Sequence, residues 1–354
     1  MRNIIYFALG IMLTFAGCGT TSRLSQADIA GLPREIYIGG QQMHVQGIAL
    51  DRSKGFMYLS FTNRFLKTDF DGNILASIDR IQGHLGAMTL SPIDGRVYAS
   101  LECKDDEIGS NIAQKMNVST VSSGGSHFYI AVIDVDKLDR VGMDPEKDKI
   151  MWTVNIAEAA QDYNAPGHRY GCSGIDGVTF APKRGHRGGK MYLYVAYGIY
   201  GDVKRDDNDN QVILCYDPAE FAKYETAVVF GNLHDNGPQK PLAKYFIPTG
   251  NTTWGVQNLA WDSHTGYMFM AVYKGKKPQY PNYKLFALDW AEKAPKEIKG
   301  WHFKWGSTGL CPVADGYWLI SENAKDKISK EESCTTRLYK FEGMDSEVPF
   351  KTVK

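Results

Sequence analysis

Apolar and polar positions along the chain fall into a recurring unit. The segment QGIALDRSKGFMYLS at residues 46–60 aligns without a gap with GAMTLSPIDGRVYAS at 86–100, and the pattern returns at 176–195 with an insertion between its halves, at 257–271 and at 308–321. Each copy is an apolar run, a turn rich in Gly, Asp or Pro, and a second run carrying β-branched and aromatic residues, which reads as a β-hairpin. A third strand closing on an acidic residue follows each hairpin, at 65–71, 128–134, 212–217, 284–289 and 337–342. Four of the units continue into a fourth apolar segment, at 74–81, 150–156, 244–247 and 297–303. The fifth unit has none, but the segment EIYI at 35–38 precedes the first hairpin and is expected to supply the missing outer strand. The pattern predicts an all-β fold, a five-bladed β-propeller of four-stranded blades in which the N-terminal strand closes the last blade and leaves no open sheet edge. A sixth blade would need a further hairpin, and none is found. Leu50 and Leu90, at matching positions of the first two inner strands, are expected in the core.

Ahead of the first strand the pattern changes. Met1 and Arg2 form a short positive start, residues 4–15 an apolar run, and Ala16 with Gly17 a small-residue cleavage site before Cys18. This is the layout of a secretory signal peptide over residues 1–17. The apolar run is too short to span a bilayer. A cysteine directly after the cleavage site resembles a bacterial lipobox, with Phe15 where leucine is more usual, and the resemblance implies that Cys18 carries the lipid, palmitate included, that holds the protein to a membrane. Residues 18–34 are then a small, polar tether and 35–354 the propeller domain. Gly19 offers no inner-membrane retention signal and no acidic run follows the cysteine, so an outer-membrane lipoprotein facing the periplasm is expected.

Composition adds exclusions. The 354 residues are 43% hydrophobic without a break in character, which fits one large domain and an expected monomer. Forty basic residues balance forty acidic ones, so charge gives no case for a nucleic-acid partner. Five cysteines follow Cys18, at 103, 172, 215, 311 and 334, with no CxxC spacing, and the odd number leaves at least one free thiol. Cys103 and Cys172 are expected on the same end of adjacent blades, where a disulfide is a candidate.

The Gly-aliphatic run, Gly turn and aromatic second strand resemble the blades of NHL-type and gluconolactonase-like propellers. With the Cys18 lipobox the chain also resembles the propeller lipoproteins of gut Bacteroidota. The resemblance is architectural and transfers no catalytic residue, because such propellers host hydrolases, lyases, lactonases and binding modules alike.

Propeller connectivity puts the second-to-third-strand loops and the links between blades on one face. The long insertions fall there, at 103–127, 157–173, 198–210, 274–282 and 323–334, and elaborated loops on a rigid scaffold are where binding and chemistry are usually placed. Residues at the starts of the inner strands should ring the axial mouth of that face: His44 and His84 at one level, then Gln46, Asp176 and Gln257 two positions on. The second-strand ends add Asn63, Arg64, Glu102, Tyr197, Tyr273, Lys274, Glu322 and Asn323, and Trp254 stands beside the fourth inner strand.

Two carboxylates among Glu102, Asp176 and Glu322 can serve as acid and base in glycoside cleavage. His44 and His84, titrating near neutrality, can abstract or donate a proton, as a polysaccharide lyase requires. The tyrosines and Trp254 offer faces for sugar rings. His44, His84, Asp176 and Gln257 also provide nitrogen and oxygen ligands for a divalent cation at the mouth. The run DDNDN at 206–210 is similar to the start of a calcium loop but lacks its glycine and closing glutamate, and it reads as a solvated acidic turn. No P-loop, GxSxG or HExxH motif is present. Two functions follow: an enzyme acting on a glycan or another small extracellular molecule as a hydrolase or lyase, and a non-enzymatic ligand-binding or assembly platform.

Overall fold

Where one blade is sandwiched between two others, a strand is buried on both faces, and its sequence need not alternate. Val97–Cys103, buried at every position, is such a strand. A computed structural model describes residues 24–41, 43–116, 125–293, 297–325 and 332–354, so Cys18, the signal peptide and residues 18–23 of the tether lie outside the described residues. The chain forms five antiparallel sheets around one axis and is a five-bladed β-propeller. From the axis outward, blade one is Gly47–Asp51, Phe56–Phe61, Arg64–Thr68 and Ile74–Ile78. Blade two is His84–Leu90, Val97–Cys103, His127–Ile133 and Met151–Asn155, with the two-residue strand Thr226–Ala227 added outside. Blade three is Cys172–Pro182, Met191–Ile199, Asn210–Tyr216 and Ala243–Pro248, and blade four Thr252–Asp262, Tyr267–Lys274, Leu285–Asp289 and Lys299–Trp301. Blade five has Leu310–Ala314, Tyr317–Lys325 and Glu332–Phe341.

The closure of blade five has two parts. Glu35–Gln41 pairs with one half of the third strand, Glu35 opposite Arg337, and Phe350–Thr352 pairs with the other half, Phe341 opposite Phe350. The N-terminal strand therefore closes the ring as the pattern predicts, and a short C-terminal strand completes the same edge.

The core is divided into five apolar wedges, one between each pair of neighbouring blades. On the axis the inner strands touch. Ser60 Oγ donates to the Gly86 carbonyl at 2.6 Å, Asn258 Nδ2 to the carbonyls of Gln46 at 3.0 Å and Ser307 at 3.2 Å, and Asn323 Nδ2 to that of Val45 at 3.2 Å. These bonds seal the axis and leave a hollow at each end. The hollow opposite the long loops, about 320 Å³, is lined by the second halves of all five inner strands. Leu50 and Leu90 pack against the apolar wedges on one side and stand half-buried on this wall on the other, so they lie at the edge of the core rather than inside it.

That same face receives the start of the described chain. Leu24 and Leu32 are buried in the wedge between blades five and one, and the Leu24 amide donates to the carboxylate of Asp315, in the hairpin turn of blade five. Cys103, Cys172, Cys215, Cys311 and Cys334 are all buried, and none of them is joined in a disulfide. The expected Cys103–Cys172 disulfide is absent: the Cys103 thiol is directed to the Gln82 carbonyl and the Cys172 thiol to the carbonyls of Ala159 and Gly174.

Candidate functional site

At the mouth the inner strands break their ladders. In blade two Leu85 faces Leu101 and Met88 faces Ala99, so Gly86 and Ala87 share one partner position; in blade three Ile175 faces Tyr197 and Val178 faces Val195, which does the same for Asp176 and Gly177. In blade four Gln257 is the extra residue between Val256 and Asn258, and Trp254 and Gly255 are looped out between Thr253 and Val256. A bulge re-aims the side chain it carries. Asp176, Gln257 and Trp254 thereby join His84, Glu102, Lys104 and Ser173 around a cavity of about 200 Å³, room for on the order of six waters.

Each charged group in it has a defined partner. Glu102 Oε2 lies 2.8 Å from Lys104 Nζ, and its Oε1 accepts the Ile175 amide at 2.9 Å. Asp176 Oδ1 accepts the Ala87 amide at 3.2 Å and Ser100 Oγ at 3.4 Å. His84 Nδ1 stands 3.9 Å from Glu102 Oε2. Two glycines make room for the two carboxyls: a Cβ on Gly86 would lie 2.2 Å from Asp176 Oδ1, and one on Gly174, whose φ is +127°, 1.8 Å from Glu102 Oε1. Any side chain at either position would expel the carboxyl beside it.

Burial sets the protonation states. The side chains of Lys104 and Glu102 are 8% and 9% exposed, and Asp176 is 7% exposed. Burial, with the negative Glu102 nearby, pushes Asp176 up to about 8, against the opposing bonds from Ala87 and Ser100 and the charge of Lys104. Asp176 is thus a neutral acid at pH 7. Burial also raises Glu102, against the pull of Lys104. For Lys104 burial works against the charge, but the Glu102 carboxylate outweighs it and holds the ammonium above its ordinary value. His84 is lowered to about 3 by burial, then by the positive charges of Lys104 and His44. It is a neutral imidazole throughout the physiological range, contrary to the expectation of a histidine titrating near neutrality.

Of the residues expected at the mouth, His84, Glu102, Asp176, Trp254 and Gln257 line this cavity. Gln257 is held there by its Nε2 bond to the Trp254 carbonyl at 3.0 Å. His44 and Gln46 do not line it: Gln46 Nε2 lies 3.2 Å from His44 Nε2, and His44 is near enough for its charge to act on His84. Tyr273 and Lys274 line a neighbouring, wider hollow that shares Trp254. Asn63 and Arg64 line a separate one beside blade one, where Arg64 is tied to Asp79 at 2.7 Å. Three residues point elsewhere. Tyr197 is fully buried and donates to Asp162 at 2.9 Å, Glu322 is bound by Arg337 at 2.9 Å and by the Tyr339 hydroxyl, and Asn323 is used in the axial seal.

Sequence reasoning missed Lys104 and Ser173. Lys104 follows the last strand residue, Cys103, and the only signal for it is its place two positions after Glu102. No group of three or more His, Cys, Asp or Glu is placed to hold a metal ion among the described residues, and beside Glu102 the positive charge is the Lys104 ammonium. The acidic turn at 206–210 likewise encloses an ammonium rather than water alone. Lys277, its side chain 3% exposed, donates to the Arg205 carbonyl, Asn208 Oδ1 and Asp209 Oδ1.

No family model matches the chain, and no curated protein matches it. Among solved structures, a gluconolactonase from Xanthomonas campestris, described as important in glucose secondary metabolic pathways, aligns with a TM-score of 0.40 at 11% identity, over 88% of this chain and 83% of that one.

Proposed function

We propose that this chain is a secreted, lipid-anchored propeller that binds a small polar extracellular molecule or glycan at the axial mouth and processes it by proton transfer, as a carbohydrate-active hydrolase or lyase. One observation carries the reading: four titratable side chains, His84, Glu102, Lys104 and Asp176, meet from adjacent blades in one cavity although their burial costs stability. Displaced pKa values cluster at functional sites, and a cleft that gathers such groups is a candidate site. In this scheme Asp176 donates its proton to the leaving oxygen as the glycosidic C–O bond breaks, and Glu102, balanced by Lys104, takes a proton from the water whose oxygen bonds to the sugar carbon. The neutral His84 ring accepts from or donates to a substrate hydroxyl.

The test is turnover by the full chain on a panel of neutral, acidic and amino-sugar polysaccharides, followed by reducing ends and by absorbance of unsaturated products. Asp176→Asn is expected to lower the rate at least about a hundredfold, the scale of a lost general acid. The wild-type rate should fall as pH rises through about 8, where Asp176 loses its proton. Saturable binding without turnover on any substrate would replace the enzyme with a binding platform.

A further inference from the structure

Beside the acid-lined cavity lies the wider hollow of about 640 Å³, formed by Thr253, Trp254, Tyr273, Lys274 and Lys284 of blade four. Trp254 belongs to both walls. The residue is 42% exposed, although a large apolar side chain is ordinarily covered, and its backbone is in the left-handed region with φ +65°. A bulky residue in that region is strained, and such strain persists where the surroundings impose it, often at ligand clamps. Here Trp254 is looped out of the strand ladder, and the Gln257 amide on its carbonyl ties its backbone to the acid-lined cavity. Tyr200 packs edge-on against the indole from blade three, with ring centroids 5.9 Å apart.

The other side of the hollow is positive. Lys274 ends the second strand and Lys284 immediately precedes the third, and neither has an ion-pair partner among the described residues. Lys284 is half-buried and its ammonium donates to the carbonyl of Lys304, which brings a third cation close. Burial, then Lys274 and Lys304, depress its affinity for a proton, so the group is assembled at a cost that an anion would relieve.

We infer that this hollow is a subsite for the acidic ring of a carboxylated saccharide, the ring lying on Trp254 and the carboxylate reaching Lys274 and Lys284. The inference rests on the carbohydrate reading of the neighbouring cavity and extends it: a ligand lying across Trp254 would present a linkage to Asp176 and Glu102 while its acidic unit occupies blade four. A flat apolar face suits a sugar ring, and paired ammonium groups without a protein counter-ion select for negative charge.

The probes are an oligogalacturonate and a neutral gluco-oligosaccharide of equal length, titrated calorimetrically into the full chain at low and high salt. The oligogalacturonate is expected to bind more tightly than the neutral probe and to weaken with salt. Lys274→Gln and Lys284→Gln should each raise its Kd about threefold to tenfold, the scale of a partly exposed ion pair, and leave the neutral probe unaffected. Trp254→Ala should weaken both. Equal binding of the two probes, an unchanged Kd in the double lysine variant, or no binding of the acidic probe would overturn the subsite. Asp176→Asn separates this from the proton-transfer reading: acid-selective binding with Asp176-independent turnover would remove that reading and leave the subsite standing.

Discussion

Asp176 is kept protonated by the same burial that makes it expensive. Its ordinary value is 3.8 and its folded value about 8, so between these limits the native state holds a proton that the unfolded chain has released. Stability contributed by this group is complete below about pH 4 and declines as pH rises toward 8, by on the order of 4 kcal/mol at pH 7. Asp176→Asn keeps an oxygen for the Ala87 amide and removes the titration. The variant should be more stable than wild type at pH 8 and nearly equal to it at pH 4, as read by urea unfolding at the two pH values; identical pH dependence in both proteins would place the cost elsewhere. Gain of stability with loss of turnover is the trade expected of a site residue. At this scale the sequence was legible where repeats aligned: His84, Asp176 and Gln257 stand at matched inner-strand starts, and all three line the cavity. It misled where strand alternation decides the facing. Tyr197 ends up in the wedge between blades two and three, hydrogen-bonded to Asp162 on the helix Ala157–Asn164, because its side chain is turned off the axis. The turn at 206–210 reads as solvated because Lys277, which fills it, is distant in the chain and joins it only through the fold.

Hairpins carry most of what the chain discloses about its elements. All five appear within a few residues of their expected limits, since turn residues and apolar runs are local signals. The bulges are not local: Gly86–Ala87 and Asp176–Gly177 look like ordinary strand residues until the register with the second strand is known. The C-terminal strand Phe350–Thr352 was also illegible, because three residues have no periodicity to read. Phe350 shows that it is a structural part of the closure, being 2% exposed and packed against Phe269, Phe303 and Trp318. Phe350→Ala should cost about 3–5 kcal/mol in chemical denaturation, as for other buried aromatic truncations. A loss below about 0.5 kcal/mol, the level of an ordinary surface change, would mean that the N-terminal strand closes the ring unaided.

For the whole molecule the axis has two unlike ends, a polar mouth between blades two, three and four and an open hollow of inner-strand side chains at the back. Leu24 is fixed at the back, against Asp315. It stands six positions after Cys18, a reach of about 20 Å when fully extended. A lipid on Cys18 would therefore hold the back of the ring toward the bilayer. Cys18→Ser should move the protein from the membrane fraction to the soluble one. In the wild type, a bilayer-restricted quencher should reach a fluorophore attached near Asp315 and leave one near Trp254 unaffected; quenching at Trp254 would invert the orientation. In that arrangement the Leu24 contact would govern what size of ligand can be handled. With a lipid on Cys18 and a ligand at the mouth, the two would approach from opposite sides, so a polymer could lie across the mouth and extend past the rim in both directions without meeting the lipid surface, and chain length would set no limit on what is engaged.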